Sequence, residues 1–300
     1  MSGVVIRGGA HAHTQAIAGT YHGIELSYET RKVQDIFTAM LERRAFEVCE
    51  FSLANYLVLR ASGADWLTAI PVFPHRAFRH SLAITRRDSP LAGLAQLAGK
   101  RVGVEDYSMT AAVWVRGLLQ DEYGVDPGAI TWVTYHKQRL ALPSRANVEI
   151  VDKDLETLVT GSVIDAMLGF STRDAAQPQA ARCLRTVEPD PAAAERAYYA
   201  RTGIHPINHC VVIRTDVLAA QPQMAQAVAS AYVEAKAHAY RANPAAMILP
   251  SGVPGDPLPY GWTPLNRRVT LTLTRYLERQ GFINAIVDID SMFTQPAVAW

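Results

Sequence analysis

The sequence predicts an α/β protein of two lobes with mostly parallel sheets. Three observations predict it. Short apolar, strand-like runs alternate with stretches of helical periodicity along nearly the whole chain. The strand before the central helix follows a long extended crossing that ends near Thr85. The run Cys210 to Arg214, entered from Gly203-Ile204-His205-Pro206-Ile207-Asn208-His209, reads as a strong returning strand. On this reading residues 1–85 and 206–300 form one lobe and 86–205 the other, with a ligand cleft between them.

Composition bounds the rest. The chain has 300 residues, 49% hydrophobic and 19% charged, which suits a sizeable core in one large or two medium domains. A net charge of +1 gives no electrostatic footprint for nucleic acid or an anionic membrane. Cys49, Cys183 and Cys210 are an odd number without metal-ligand spacing, and read as small buried residues in a reducing compartment. The first residues, Met1 to Gly8, lack the basic and long apolar regions of a signal peptide. No apolar run approaches the ~20 residues of a membrane span. The expected location is the cytoplasm. Assembly with copies of itself is left open.

In chain order, Val4-Val5-Ile6 is a short buried-type strand running into Gly8-Gly9-Ala10-His11-Ala12-His13-Thr14, where glycines let a ligand come close. His11 and His13 share a side of an extended loop. Two histidines without a third ligand point to site lining rather than to a metal. Ile24 to Tyr28 alternates as a strand, and Val33, Ile36, Phe37, Met40 and Leu41 mark an amphipathic helix opened by Thr30. Phe46 to Ser52 is a strand ending at an N-cap, so Glu50 and Ser52 lie at its C-terminal end, where open α/β sheets bind ligands. Trp66 to Pro74 is another buried strand, and His80 to Thr85 continues extended.

The chain looks organised around the turn at Glu105-Asp106-Tyr107-Ser108-Met109-Thr110. Arg101-Val102-Gly103-Val104 reads as a buried strand; from Ser108 the period changes, Ala111, Val115, Leu118 and Leu119 sharing a helical face until Gly124. The first turn of that helix offers backbone N–H groups, the hydroxyls of Ser108 and Thr110, and a positive dipole end to an anion. Upstream, His75-Arg76-Ala77-Phe78-Arg79-His80 packs four basic side chains into six positions. Ile130 to Tyr135 is then a strand, 136–153 an irregular connection, Leu155 to Val159 a short helix, Ile164 to Gly169 a strand, and Ser171 to Ala181 a loop. An alanine-rich helix is expected over 189–200, and others at roughly 215–242 and 265–280, the last stopped by Gly281. A proline-rich loop from Pro250 to Gly261 lies between those two.

Several of these stretches carry a resemblance: Phe46 to Leu53, Ala69 to Pro74 with Phe78-Arg79-His80-Ser81, Lys100 to Val104, Tyr107 to Gly117, Gly203 to His209 and Pro259-Tyr260-Gly261. Together, in this order over nearly the whole chain, they resemble the 4,5-dihydroxyphthalate decarboxylase family. The resemblance implies a type II periplasmic-binding-protein-like fold used as a decarboxylase. One departure concerns the loop after the first strand. The family's Asp-Tyr-Asp-Arg-Thr is here Ala10-His11-Ala12-His13-Thr14, and His75 replaces a small residue.

Direct loss of CO2 from a hydroxylated benzoate would leave a very unstable aryl anion. A lower route deprotonates a hydroxyl ortho or para to the carboxylate, protonates the ring carbon bearing it, and lets the dienone shed CO2. The scheme needs a base, an acid and a cation for any carboxylate that stays, but no cofactor and no metal. His80 and His209 are the expected proton-transfer groups, with Glu105 orienting one of them. Arg79, Ser108 and Thr110 are expected to hold a carboxylate, and Tyr107 and Met109 to line the site. Glu50, Ser52, His11, His13, Thr14 and His75 complete the substrate-binding set. The expected partner is a small aromatic carboxylate. The alternative is a small-molecule binding protein of the solute-receptor type without an export signal.

Overall fold

The computed structural model describes residues 3–169, 172–252 and 254–300. Met1, Ser2, Phe170, Ser171 and Val253 lie outside the described residues, and with them the start of the expected N-terminal run, the first position of the 171–181 loop and one position of the proline-rich loop.

The chain opens with β1 (Val4–Gly8), β2 (Gly19–Tyr21), β3 (Ile24–Thr30), α1 (Val33–Arg43), β4 (Val48–Ser52), α2 (Leu53–Ala61) and β5 (Leu67–Arg76). It continues through β6 (Ala83–Arg86), β7 (Arg101–Gly103), α3 (Thr110–Tyr123), β8 (Thr131–Thr134), β9 (Val148–Ile150), α4 (Leu155–Thr160), β10 (Ala166–Leu168), β11 (Leu184–Thr186) and α5 (Pro191–Thr202). It closes with β12 (Ile207–Arg214), α6 (Thr215–Ala220), α7 (Met224–Ala242) and α8 (Pro264–Arg279). Two compact units result. The first comprises Met1–Ala77, Ile204–Thr274 and Ile286–Trp300, the second Phe78–Gly203 and Arg275–Ala285. The first crossing thus falls at Ala77 rather than after residue 85, because β6 pairs with β10 and β11 of the second unit. The short stretch 275–285 also belongs to the second unit.

In the first unit a six-stranded sheet has the order β2-β3-β1-β4-β12-β5. β1 runs parallel to β3 and β4, whereas β12 is antiparallel to both β4 and β5. The returning strand therefore makes the sheet mixed rather than mostly parallel. Every residue of β4 is buried, and Ser52 caps α2 by accepting a hydrogen bond from the Asn55 N–H. β5 carries Pro71 and Pro74, which lack the N–H a ladder needs, and it accordingly lies at the sheet edge. Its register with β12 is irregular on both sides of His209, the kind of break that re-aims a side chain. α7 covers one face of the sheet, burying Val228, Ala231, Tyr232 and Ala235 with Ile6, Leu26, Val48 and Val211.

In the second unit the sheet order is β11-β6-β10-β7-β8-β9, parallel only from β10 to β9. α3 is buried from Thr110 to Leu119 and ends at Gly124, whose φ of +64° is the left-handed cap that glycine adopts without strain. Inside it sits the fully buried Arg116. Its guanidinium donates to Gln280 (2.7 Å) and to the Tyr107 carbonyl (2.7 Å), and stacks 3.8 Å from the centre of the Tyr107 ring.

Candidate functional site

The loop after β1 is shaped by two glycines. A side chain at Gly8 would strike the Tyr28 hydroxyl at 2.1 Å, and one at Gly9 would meet the His11 ring at 2.9 Å. Only glycine lets the chain pass so close under these groups. The loop then tightens into a short turn over Ala12–Thr14, held by the Thr14 N–H and hydroxyl, both donating to the His11 carbonyl. The Tyr28 hydroxyl donates to the Gly9 carbonyl at 2.8 Å. His11 is thereby set over the C-terminal end of β4.

Glu50 is the centre of the arrangement. Its carboxylate is fully buried and accepts the Gly9 N–H at 2.7 Å, Nε2–H of His11 at 3.1 Å from both oxygens, and Nδ1–H of His209 at 2.5 Å. Burial alone would push its pKa up; the hydrogen bonds from His11 and His209 outweigh that and hold it well below the usual carboxylate range. The two imidazoles are 18% and 14% exposed, so part of each side chain reaches solvent. His209 also receives the edge of Phe37, with ring centres 5.0 Å apart.

Two further histidines join by ring contact. His75 lies opposite His209 in the β5–β12 pairing, with ring centres 4.7 Å apart, and is 5.9 Å from His11. His13 stacks on His11 at 5.2 Å. Burial, then repulsion from His11, lowers the His13 pKa to about 4, so this imidazole is neutral near pH 7. Arg76, one residue from His75, is taken up by structure: it donates to the carbonyls of His205 and Pro259 and to the Asn266 side chain. The first unit thus brings together His209, Glu50, His11, His13, His75, Thr14 and Ser52 of the expected set.

The remaining expected residues belong to the second unit and differ in part from expectation. Glu105 is exposed, because β7 stops at Gly103 and leaves it in the following loop. The carboxylate that holds His209 is Glu50. The helix begins at Thr110 with Met109 as its cap residue, not at Ser108. Ser108 instead donates its N–H (2.9 Å) and hydroxyl (2.6 Å) to Asp106, whose other oxygen accepts the Arg139 N–H at 2.7 Å. Tyr107 is buried under Arg116 and against Trp132 and Phe282. Cys183, expected to be buried, is exposed, its thiol directed to Asp174.

Arg79 is buried; desolvation lowers its pKa to about 9 against the opposing charge of Glu195. His80 is buried too, with its ring 5.5 Å from that of Tyr198 and no hydrogen-bond partner for Nδ1 among the described residues. Burial, then the charge of Arg201, lowers its pKa to about 4. An unfolded histidine takes its proton near pH 6.5, before the folded one does, so stability is full above that pH and lost as pH falls towards 4. His80 is expected to contribute on the order of 2 kcal/mol to this loss. Urea unfolding of His80→Phe between pH 4.5 and 6.5 should show a flatter profile than the parent protein. An unchanged slope would rule this out.

Residues 19–231 match the family model of ABC transporter phosphonate periplasmic substrate-binding proteins. A 4,5-dihydroxyphthalate decarboxylase from Comamonas testosteroni is 31% identical over 72% of this chain and 68% of its own length. One from Pseudomonas putida is 34% identical over 49% of this chain and 61% of its own length. Among solved structures, the periplasmic aliphatic sulphonate binding protein SsuA from Escherichia coli aligns over 99% of this chain and 94% of its own, with a TM-score of 0.62 at 14% identity. That likeness shows a periplasmic-binding-protein fold and nothing finer. No helix among the described residues is long and apolar enough to cross a membrane. With the expected motifs in matching order and these relatives beside them, the chain belongs to the 4,5-dihydroxyphthalate decarboxylase family, on the fold of the phosphonate-type periplasmic substrate-binding proteins.

Proposed function

We propose that the protein is a carboxy-lyase that removes CO2 from a hydroxylated aromatic carboxylic acid of the 4,5-dihydroxyphthalate type. The observation that carries the reading is the His209–Glu50 pair at the C-terminal edge of the first sheet. A buried carboxylate bonded to Nδ1 orients the imidazole for proton transfer, and histidine exchanges protons near neutral pH. The names of the relatives point to the same reaction class. In the scheme the phenol loses its proton, the carbon bearing the carboxylate gains one, and the C–CO2 bond breaks as aromaticity returns. Each step is a proton transfer or a bond cleavage driven by one.

A panel of hydroxylated benzoates and phthalates, followed by released CO2, tests the reading. CO2 is expected only from acids with a hydroxyl ortho or para to the departing carboxylate. The match of residues 19–231 to substrate-binding proteins favours a second reading, a binding protein without turnover. Calorimetric binding of these acids with no CO2 from any of them would establish it in place of the first.

A further inference from the structure

We infer that Tyr28 is a positioning residue: acting through Gly9, it fixes the buried carboxylate that holds His209. Its catalytic role rests on the decarboxylase reading; the clamp it forms does not. Tyr28 stands on β3 opposite Ile6 of β1, so its side chain shares a face with Gly8, two residues further along β1. The ring packs against the core that α7 covers. Its hydroxyl passes directly over Gly8, where even a methyl group would lie 2.1 Å from it. From there the hydroxyl donates to the Gly9 carbonyl at 2.8 Å. Burial pushes the Tyr28 pKa up, so the phenol keeps its proton and remains a donor through the neutral range.

Gly9 joins three elements. Its carbonyl accepts the Tyr28 hydroxyl from β3 and, at 3.0 Å, the His11 N–H from the loop. Its own N–H donates to Glu50 of β4 at 2.7 Å. A glycine has no side chain to anchor it, so its place depends on these bonds. The oxygen of Glu50 that takes the Gly9 N–H is Oε2, whereas His209 Nδ1 meets Oε1. Bonds on both oxygens fix the plane of the carboxylate. Without the Gly9 bond, Oε2 keeps only the longer 3.1 Å contact from His11, whose backbone the same carbonyl holds. Loss of the Tyr28 hydroxyl therefore loosens both supports on that side, and the plane can turn. His209 turns with it. A misplacement of about 1 Å in a proton-transfer group costs on the order of 10²-fold in rate.

Tyr28→Phe keeps the packed ring and removes the hydroxyl. Amide hydrogen exchange of the full chain, read by NMR, should show the N–H groups of Gly9 and His11 exchanging several-fold faster, with those inside β4 unchanged. In turnover, kcat should fall by roughly 10–10²-fold while KM changes only about twofold, since the acid still binds and only the proton-transfer geometry is lost. Gly8→Ala drives a methyl into the same hydroxyl from the other side. The double variant should be no slower than Gly8→Ala alone, because the contact is already broken. Losses that multiply would show two independent effects and overturn the clamp, as would unchanged Gly9 exchange in Tyr28→Phe. Faster exchange beside an unchanged kcat would overturn the positioning role. A parent protein that releases no CO2 would instead refute the decarboxylase reading, and the exchange result would still decide the clamp.

Discussion

Replacing His209 with asparagine is expected to lower kcat by roughly 10²–10⁴-fold while the protein still folds and binds its acid. The asparagine amide can reach towards the place of Nδ1–H and keep a donor on Glu50, so the buried carboxylate is not stranded. What it lacks is a second nitrogen that gains and loses a proton at neutral pH. The loss should therefore appear in kcat and only weakly in KM. Glu50→Leu is a different experiment, because it removes the acceptor of the Gly9 N–H, His11 and His209 together and leaves three donors to find new partners. Steady-state kinetics on purified His209→Asn, with urea unfolding to show that it is folded, decide the matter. A kcat within about threefold of the parent would remove His209 from the chemistry.

The reasons that this site was partly legible in the sequence are local. Phe46 to Ser52 reads as a strand with an N-cap at its end, and that reading puts Glu50 near the C-terminal end of the strand, where it lies. The loop of His11 and His13 follows the first strand for the same reason. What spacing could not reveal is that these histidines meet His75 and His209. Their meeting depends on β12 entering the sheet antiparallel between β4 and β5, a pairing of residues more than a hundred positions apart. Glu105 is the orienting carboxylate its motif suggests, whereas the one bonded to His209 within the first unit is Glu50, on the neighbouring strand. β2 and β9 escaped notice because none of their residues is buried, so no alternation marks them. The single helix expected over 215–242 divides at Gln221, the residue before Pro222, where proline disfavours the helical conformation.

The methyl ether of a reactive acid, blocked at the hydroxyl ortho or para to the departing carboxylate, is expected to bind yet release no CO2. The route through a dienone requires that oxygen to push electrons into the ring as its proton leaves. An ether oxygen has no proton to give, and the oxocarbenium it would form instead lies far higher in energy. The ring and carboxylates that recognition uses are untouched, so binding should fall only modestly. The effect is then the largest expected here, a loss of turnover to background with affinity largely kept. In heavy water, turnover of the parent acid should place one deuterium on the carbon that lost CO2, because the proton delivered by an imidazole comes from an exchangeable site. Proton NMR of the product reads this directly. Normal turnover of the methylated acid would exclude phenol deprotonation as the trigger, and with it any histidine as the phenol's base. Ring carbon without deuterium would go further, since no exchangeable group of the protein could then have supplied the proton.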